Sequence, residues 1–181
     1  MTIKINYKIN FSKIPSSNLV LFADEKFDIN PIKKYMSDPE FSYIKDLLKT
    51  IDLSKNLFVF ELTSKKKIIL VSIKKNIKTS DIENLGAEFY GRINYGKNSE
   101  YFINSDSLID KDKSFIGYFL HGLKLKSYEF NKYKSKKETR LLTINVFGKN
   151  NKSSPSDILK FKALEEGTFY ARDLVSEPGN V

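Results

Sequence analysis

The sequence predicts an α/β fold in which helices cover both faces of a mixed central sheet, and three observations predict it. Segments with two-residue apolar alternation interleave with segments of helical periodicity, as in chains that layer helices on a sheet. Two adjacent β-rich segments are joined by a short polar tip, which makes at least one strand pair antiparallel. Hydrophobic residues are 40% of a 181-residue chain, enough for one compact unit with a real core.

The elements follow in order. Ile3, Ile5, Tyr7, Ile9 and Phe11 alternate with Lys4, Asn6, Lys8 and Asn10, a half-buried strand. Leu19 to Ala23 is a continuous apolar run suited to a strand covered on both faces. Asp38-Pro39 offers an N-cap and a first-turn proline, and Phe41, Ile44, Leu48 and Ile51 give that helix an apolar stripe. Leu57 to Leu62 and Ile68 to Ile73 form a hairpin through Thr63-Ser64-Lys65-Lys66-Lys67, a basic tip expected to be solvated. Ser80-Asp81-Ile82-Glu83 has capping-box spacing, and Ile82, Leu85, Gly86, Phe89 and Ile93 recur at helical intervals. A strand follows near Glu100 to Asn104. Ser114 to Lys124 reads as an apolar helix whose Gly117 and Gly122 weaken it but let another backbone pack close. Leu141 to Phe147 is the last strand. Ser154-Pro155-Ser156-Asp157 then opens a helix through Ile158, Phe161, Leu164, Ala171, Leu174 and Val175.

Composition excludes several chemistries. The chain has no cysteine and one histidine, His121, so thiolate-ligated and multi-histidine metal sites are excluded. Residues 1–20 lack the apolar core of a signal peptide and no run reaches membrane-spanning length, so a cytoplasmic location is expected. The net charge of +9 invites a nucleic-acid partner. Yet Arg92, Arg140 and Arg172 are the only arginines among 31 basic residues, whereas phosphate and base recognition favours the arginine fork. The lysine, asparagine and isoleucine richness reads instead as the codon bias of an AT-rich genome.

Local motifs supply no catalytic centre. Gly91-Arg92-Ile93-Asn94-Tyr95-Gly96-Lys97-Asn98 nearly spells a phosphate-binding loop, but Asn98 replaces the magnesium-binding hydroxyl and the segment runs from helix to strand, the reverse of the required order. Helix termination by glycine is the reading preferred there. Asp106, Asp110 and Asp112 match no calcium-loop spacing and read as a solvated loop. His121, in an apolar helix, reads as a packed or partly exposed imidazole rather than a catalytic base, since no partner is visible in the sequence. No serine sits in a nucleophile-elbow context.

Two segments carry a family resemblance. Ala163-Leu164-Glu165-Glu166-Gly167-Thr168-Phe169-Tyr170-Ala171-Arg172-Asp173-Leu174-Val175-Ser176-Glu177-Pro178-Gly179-Asn180-Val181 closely resembles the helix ending in Ala-Arg-Asp-Leu-Val-Asn, and the Pro-containing turn after it, of leucyl (cytosol) aminopeptidases. Leu125-Lys126-Ser127-Tyr128-Glu129-Phe130-Asn131-Lys132-Tyr133-Lys134-Ser135-Lys136-Lys137 resembles the Ser-Tyr-x-Phe-Asp-x-Tyr-Lys segment of the same family's N-terminal domain. Asn131 replaces the usual aspartate there, and Ser176, Glu177 and Gly179 depart from the usual final turn.

The resemblance implies a macro-domain-like N-terminal domain over 1–153, followed at 154–181 by a terminal helix and the start of a linker to a catalytic domain absent from this chain. Arg172, Asp173, Leu174, Pro178 and Asn180 would be the interdomain linker residues. The family's catalytic domain holds two divalent metal ions, zinc or manganese, and includes an Asn-Thr-Asp-Ala-Glu-Gly-Arg stretch that does not occur here. The resemblance therefore implies an inactive, truncated piece of a hydrolase that releases N-terminal residues from peptides, with no catalytic residue, metal ligand or cofactor of its own. Its implied partners are its own C-terminal catalytic domain and the other copies in a homo-hexamer, with no membrane. The alternative is a nucleic-acid-binding module that holds DNA through Lys132, Lys134, Lys136 and Lys137. A macro-like fold could also keep a pocket for a nucleotide derivative, although no residue pattern identifies one.

Overall fold

The computed structural model describes residues 2–7, 17–93, 98–109, 114–133, 141–149 and 153–177. The chain runs β1 (Thr2–Tyr7), β2 (Asn18–Asp24), a 3-10 helix (Asn30–Tyr35), α1 (Asp38–Leu48), β3 (Leu57–Thr63), β4 (Lys66–Ile73), α2 (Thr79–Ile93), β5 (Asn98–Asn104), a 3-10 turn (Ser105–Ser107), α3 (Phe115–Lys126), β6 (Leu141–Phe147) and α4 (Pro155–Ser176). The strands form one sheet in the order β1-β6-β5-β2-β4-β3. Every neighbouring pair is parallel except β3 with β4, the pair joined by the two-residue tip Ser64-Lys65. The expected mixed sheet with helices on both faces is present.

Alternation along the strands builds two cores. Val20, Phe22, Ile69, Val71, Ile103, Ile144 and Val146 face α2 and α3 on one side. Leu19, Leu21, Ile68, Leu70 and Phe102 face α1 and the first 3-10 helix on the other. Phe22 meets Phe115 and Phe119 edge-on, both at 5.5 Å between ring centroids, a preferred aromatic geometry.

The helices α2 and α3 pack backbone to backbone. A Cβ on Gly86 would lie 1.8 Å from the Phe119 carbonyl oxygen, and one on Gly122 would lie 1.9 Å from that of Glu83. A Cβ on Gly117 would lie 2.3 Å from the ring of Phe161 on α4. The two glycines expected to admit close neighbours therefore do so, one toward each flanking helix.

Several expectations need correction. The cap of α1 is Ser37, whose amide hydrogen bonds to Glu40 at 3.0 Å, so Asp38 is already helical. Ile51 lies beyond the end of that helix. α2 begins at Thr79, with Lys78 supplying the first carbonyl to the Asp81 and Ile82 amides, so Ser80 sits within the first turn and does not cap. Ser64 and Lys65 at the hairpin tip are exposed as expected, but Lys66 and Lys67 already belong to β4, where Lys66 is largely covered and bonds Glu40 at 2.5 Å while Lys67 bonds Glu61 at 2.5 Å. Gly91 does not stop α2, which continues to Ile93. Residues Ile9, Phe11, Asn94 to Lys97, Asp110 and Asp112 lie outside the described residues. Asp106 holds its carboxylate against the Lys149 amide at 2.9 and 3.0 Å.

Candidate functional site

The distinctive surface is α4 and what it leans on. Local sequence starts this helix: the Ser154 hydroxyl accepts from the Asp157 amide at 3.0 Å, the Asp157 carboxylate accepts from the Ser154 amide at 3.2 Å, and Pro155 occupies the first turn, a complete capping box. Only Phe161 and Glu165 are buried along its length. The expected apolar stripe is thus mostly uncovered: Leu164, Leu174 and Val175 are 48%, 55% and 88% exposed. Phe161 fills the notch at Gly117, and this fixes the rotation of α4 so that a second apolar arc points away from the domain. Leu159, Ala163, Gly167, Tyr170 and Leu174 line that arc at helical spacing, all exposed.

The first half of α4 is also tied down by charge. Glu165, 5% exposed, accepts from Lys124 Nζ at 2.5 Å and lies 3.4 Å from His121 Nδ1, while His121 Nε2 lies 4.0 Å from Glu83. His121 therefore has partners from α2 and α4 that its sequence neighbourhood did not reveal. A small cavity of about 160 Å³ beside them is lined by Ile5, Tyr7, Leu120, Phe161 and Glu165 among others. Burial pushes the Tyr7 phenol pKa up, and the Glu165 charge adds to it.

The second half of α4 meets the segment that follows α3. Arg172 Nη1 donates to the Leu125 carbonyl at 2.7 Å, and its guanidinium lies 5.4 Å from the Tyr128 ring centre. The Tyr128 hydroxyl donates to Asp173 Oδ1 at 2.7 Å, and its ring lies 5.4 Å from that of Phe169. Partial desolvation and the Asp173 carboxylate together raise the Tyr128 pKa. Lys132 is ion-paired with Glu177, which raises the lysine's pKa.

The sequence-derived candidates thus divide. Arg172 and Asp173 sit on the face of α4 turned to the domain, Leu174 on the outward arc, and Pro178 and Asn180 outside the described residues. Lys132 is engaged by Glu177; Lys134, Lys136 and Lys137 lie outside the described residues.

A cavity of about 640 Å³ opens at the carboxyl ends of β2 and β4, floored by Phe22, Ile32 and Ile73, where open α/β sheets commonly hold ligands. Its rim mixes Asp24, Glu25 and Asp28 with Lys26 and Lys75, and Asp24 Oδ1 already accepts from the amides of Lys26 and Asp28 at 3.1 and 2.8 Å. Among the described residues no three His, Cys, Asp or Glu side chains group so as to hold a metal ion, so the described donors do not fit a dinuclear centre. No helix among them is long and apolar enough to cross a membrane.

Comparison with known proteins gives a consistent relationship. No family model matches the chain. It is 38% identical over 60 residues to a probable cytosol aminopeptidase of Dinoroseobacter shibae, which covers 33% of this chain and 12% of that protein. It is 43% identical over 68 residues to a probable cytosol aminopeptidase of Clostridium perfringens, covering 34% and 14% respectively. Among solved structures, a tomato leucine aminopeptidase variant superposes with a TM-score of 0.66 at 16% identity over 99% of this chain and 39% of that one. The bottromycin maturation enzyme BotP in complex with Mn gives 0.59 at 11% identity, over 91% and 32%. The chain spans well under half the length of each of these proteins. Over about a third of its length the chain is similar in sequence to probable cytosol aminopeptidases, and over nearly all of its length it shares the fold of a part of a leucine aminopeptidase.

Proposed function

We propose that this chain is a non-catalytic domain that supports assembly or regulation of a leucyl aminopeptidase, a cytoplasmic dinuclear-metal enzyme that removes N-terminal residues from peptides. Residues 1–153 form the domain body in this reading, and 154–181 lead toward a catalytic domain that carries both metal ions. The observation that carries it is the outward arc of α4, where Leu159, Tyr170 and Leu174 are exposed at 68%, 67% and 55%. A helix with one apolar face packed and a second left open suits a segment lying between two bodies. Docking a catalytic domain there would cover the second face, and copies of such a protein would then build the hexamer.

Leucine p-nitroanilide hydrolysis with manganese tests this reading, comparing the 181-residue chain with one extended by a leucyl aminopeptidase catalytic domain. Activity in the extended chain alone, lowered by the substitution Leu174→Glu, is the expected result. Activity in the short chain, or indifference of the extended chain to Leu174→Glu, would overturn it. The alternative reading, a DNA partner, rests on the net charge of +9. Duplex affinity that falls steeply with salt would support that role, and absent or salt-independent binding would remove it.

A further inference from the structure

The two segments that carry the aminopeptidase resemblance touch each other, and ordinary core packing does not account for how they do so. Beyond Glu165 no described α4 side chain is fully buried, and the one apolar contact of the distal half among the described residues is the half-buried Phe169 against Tyr128. That half is held by groups on the 125–133 segment. The Leu125 carbonyl belongs to the last turn of α3, where carbonyls lack intrahelical donors, and Arg172 Nη1 supplies one at 2.7 Å. A cation at that position also complements the negative end of the α3 dipole. Tyr128 lies beneath the Arg172 guanidinium, meets the Phe169 ring at a tilt and donates its hydroxyl to Asp173. One turn further on, Glu177 pairs with Lys132. Phe169, Arg172, Asp173 and Glu177 recur at three- and four-residue intervals, so one face of α4 makes every contact.

We propose that this clasp, with Tyr128 and Arg172 as its positioning residues, sets the direction in which the distal half of α4 leaves the domain. It thereby sets the orientation of the outward apolar arc, a consequence that rests on the docking reading above. Contacts at a surface are individually weak, and a helix half held only by a few of them opens separately from the core. The clasp therefore makes α4 a steerable strut rather than a rigid part of the domain.

Hydrogen–deuterium exchange of the 181-residue chain, resolved by peptide, tests the clasp. Arg172→Ala removes both the carbonyl cap and the cation over the ring, and it should speed exchange across 166–177 by about tenfold. Tyr128→Phe keeps the ring and removes only the hydroxyl, so its effect should be a smaller, few-fold rise confined to the same amides. Peptides from α2, α3, β5 and β6 should keep their protection in both variants. Unchanged exchange over 166–177 in Arg172→Ala overturns the proposal. So does a loss of protection spread through the sheet in Tyr128→Phe, since the contacts would then hold the domain together rather than aim the helix. Failure of the docking reading looks different: the exchange responses persist while Leu174→Glu leaves the extended enzyme fully active.

Discussion

Replacing Gly86 by alanine should destabilise the domain, although alanine is the better helix former. A Cβ at this position meets the Phe119 carbonyl oxygen at 1.8 Å and its carbon at 2.8 Å, whereas ordinary contact begins at 3.4 Å. The two helices must therefore move apart by about 1.5 Å in an interior packed without slack. The obstructing atoms are backbone, which cannot turn aside as a side chain would. Overpacking of this kind costs about 3 kcal/mol, the upper part of its usual range. The gain in helix propensity offsets about 1 kcal/mol, leaving a net loss of about 2 kcal/mol. With a urea dependence of about 2 kcal/mol per molar, the unfolding midpoint falls by about 1 M. Gly91 and Gly167 are controls within helices, since a Cβ at either meets nothing within 4 Å. Alanine there should raise stability by about 0.5–1 kcal/mol through the unfolded state. A Gly86→Ala midpoint equal to or above the parent's would refute the close-packing argument.

Two further predictions concern buried or half-buried charge. Burial alone would raise the Glu40 pKa, but the hydrogen bond from Lys66, the Ser37 donors and the Lys66 charge together lower it below 4.5. The stability from Glu40 is then present above pH 4.5 and lost as pH falls through its lower folded value. Urea titrations should find the parent more stable than Glu40→Gln at pH 6 and the gap closing toward pH 3; a gap independent of pH contradicts the pairing. Lys124→Met removes the ammonium that bonds the buried Glu165 carboxylate, leaving the longer contact with His121, and should cost about 2–3 kcal/mol. Adding Glu165→Gln to it should recover part of that loss, and strictly additive effects in the double-mutant cycle would disprove the coupling.

Local physics made the elements legible in the sequence. The alternation of Ile3, Ile5 and Tyr7, the hairpin tip after Leu62 and the Ser154-Pro155-Asp157 start of the last helix are all interactions among near neighbours, and each is found in place. The buried stripe of α2 is similarly a periodic signal within one helix. Near-neighbour signals misled by up to three residues at helix ends, as at Asp38, Ser80 and Ile51, where several adjacent residues can begin or end the same turn.

What the tertiary structure decided is which faces meet. Periodicity in the last helix announces apolar residues on more than one side, but it cannot say which side is covered. That choice is made by Phe161 entering the space above Gly117 on α3, 44 residues earlier in the chain. The same packing brings Glu165 to His121 and Lys124, and Arg172 and Asp173 to Leu125 and Tyr128. No spacing rule links residues so far apart, because their approach depends on where the sheet and α3 place the two helices. By itself the sequence determined the strands, the helices, the mixed sheet and the family resemblance. The rotation of α4, its clasp and its uncovered arc were settled only when the elements packed together.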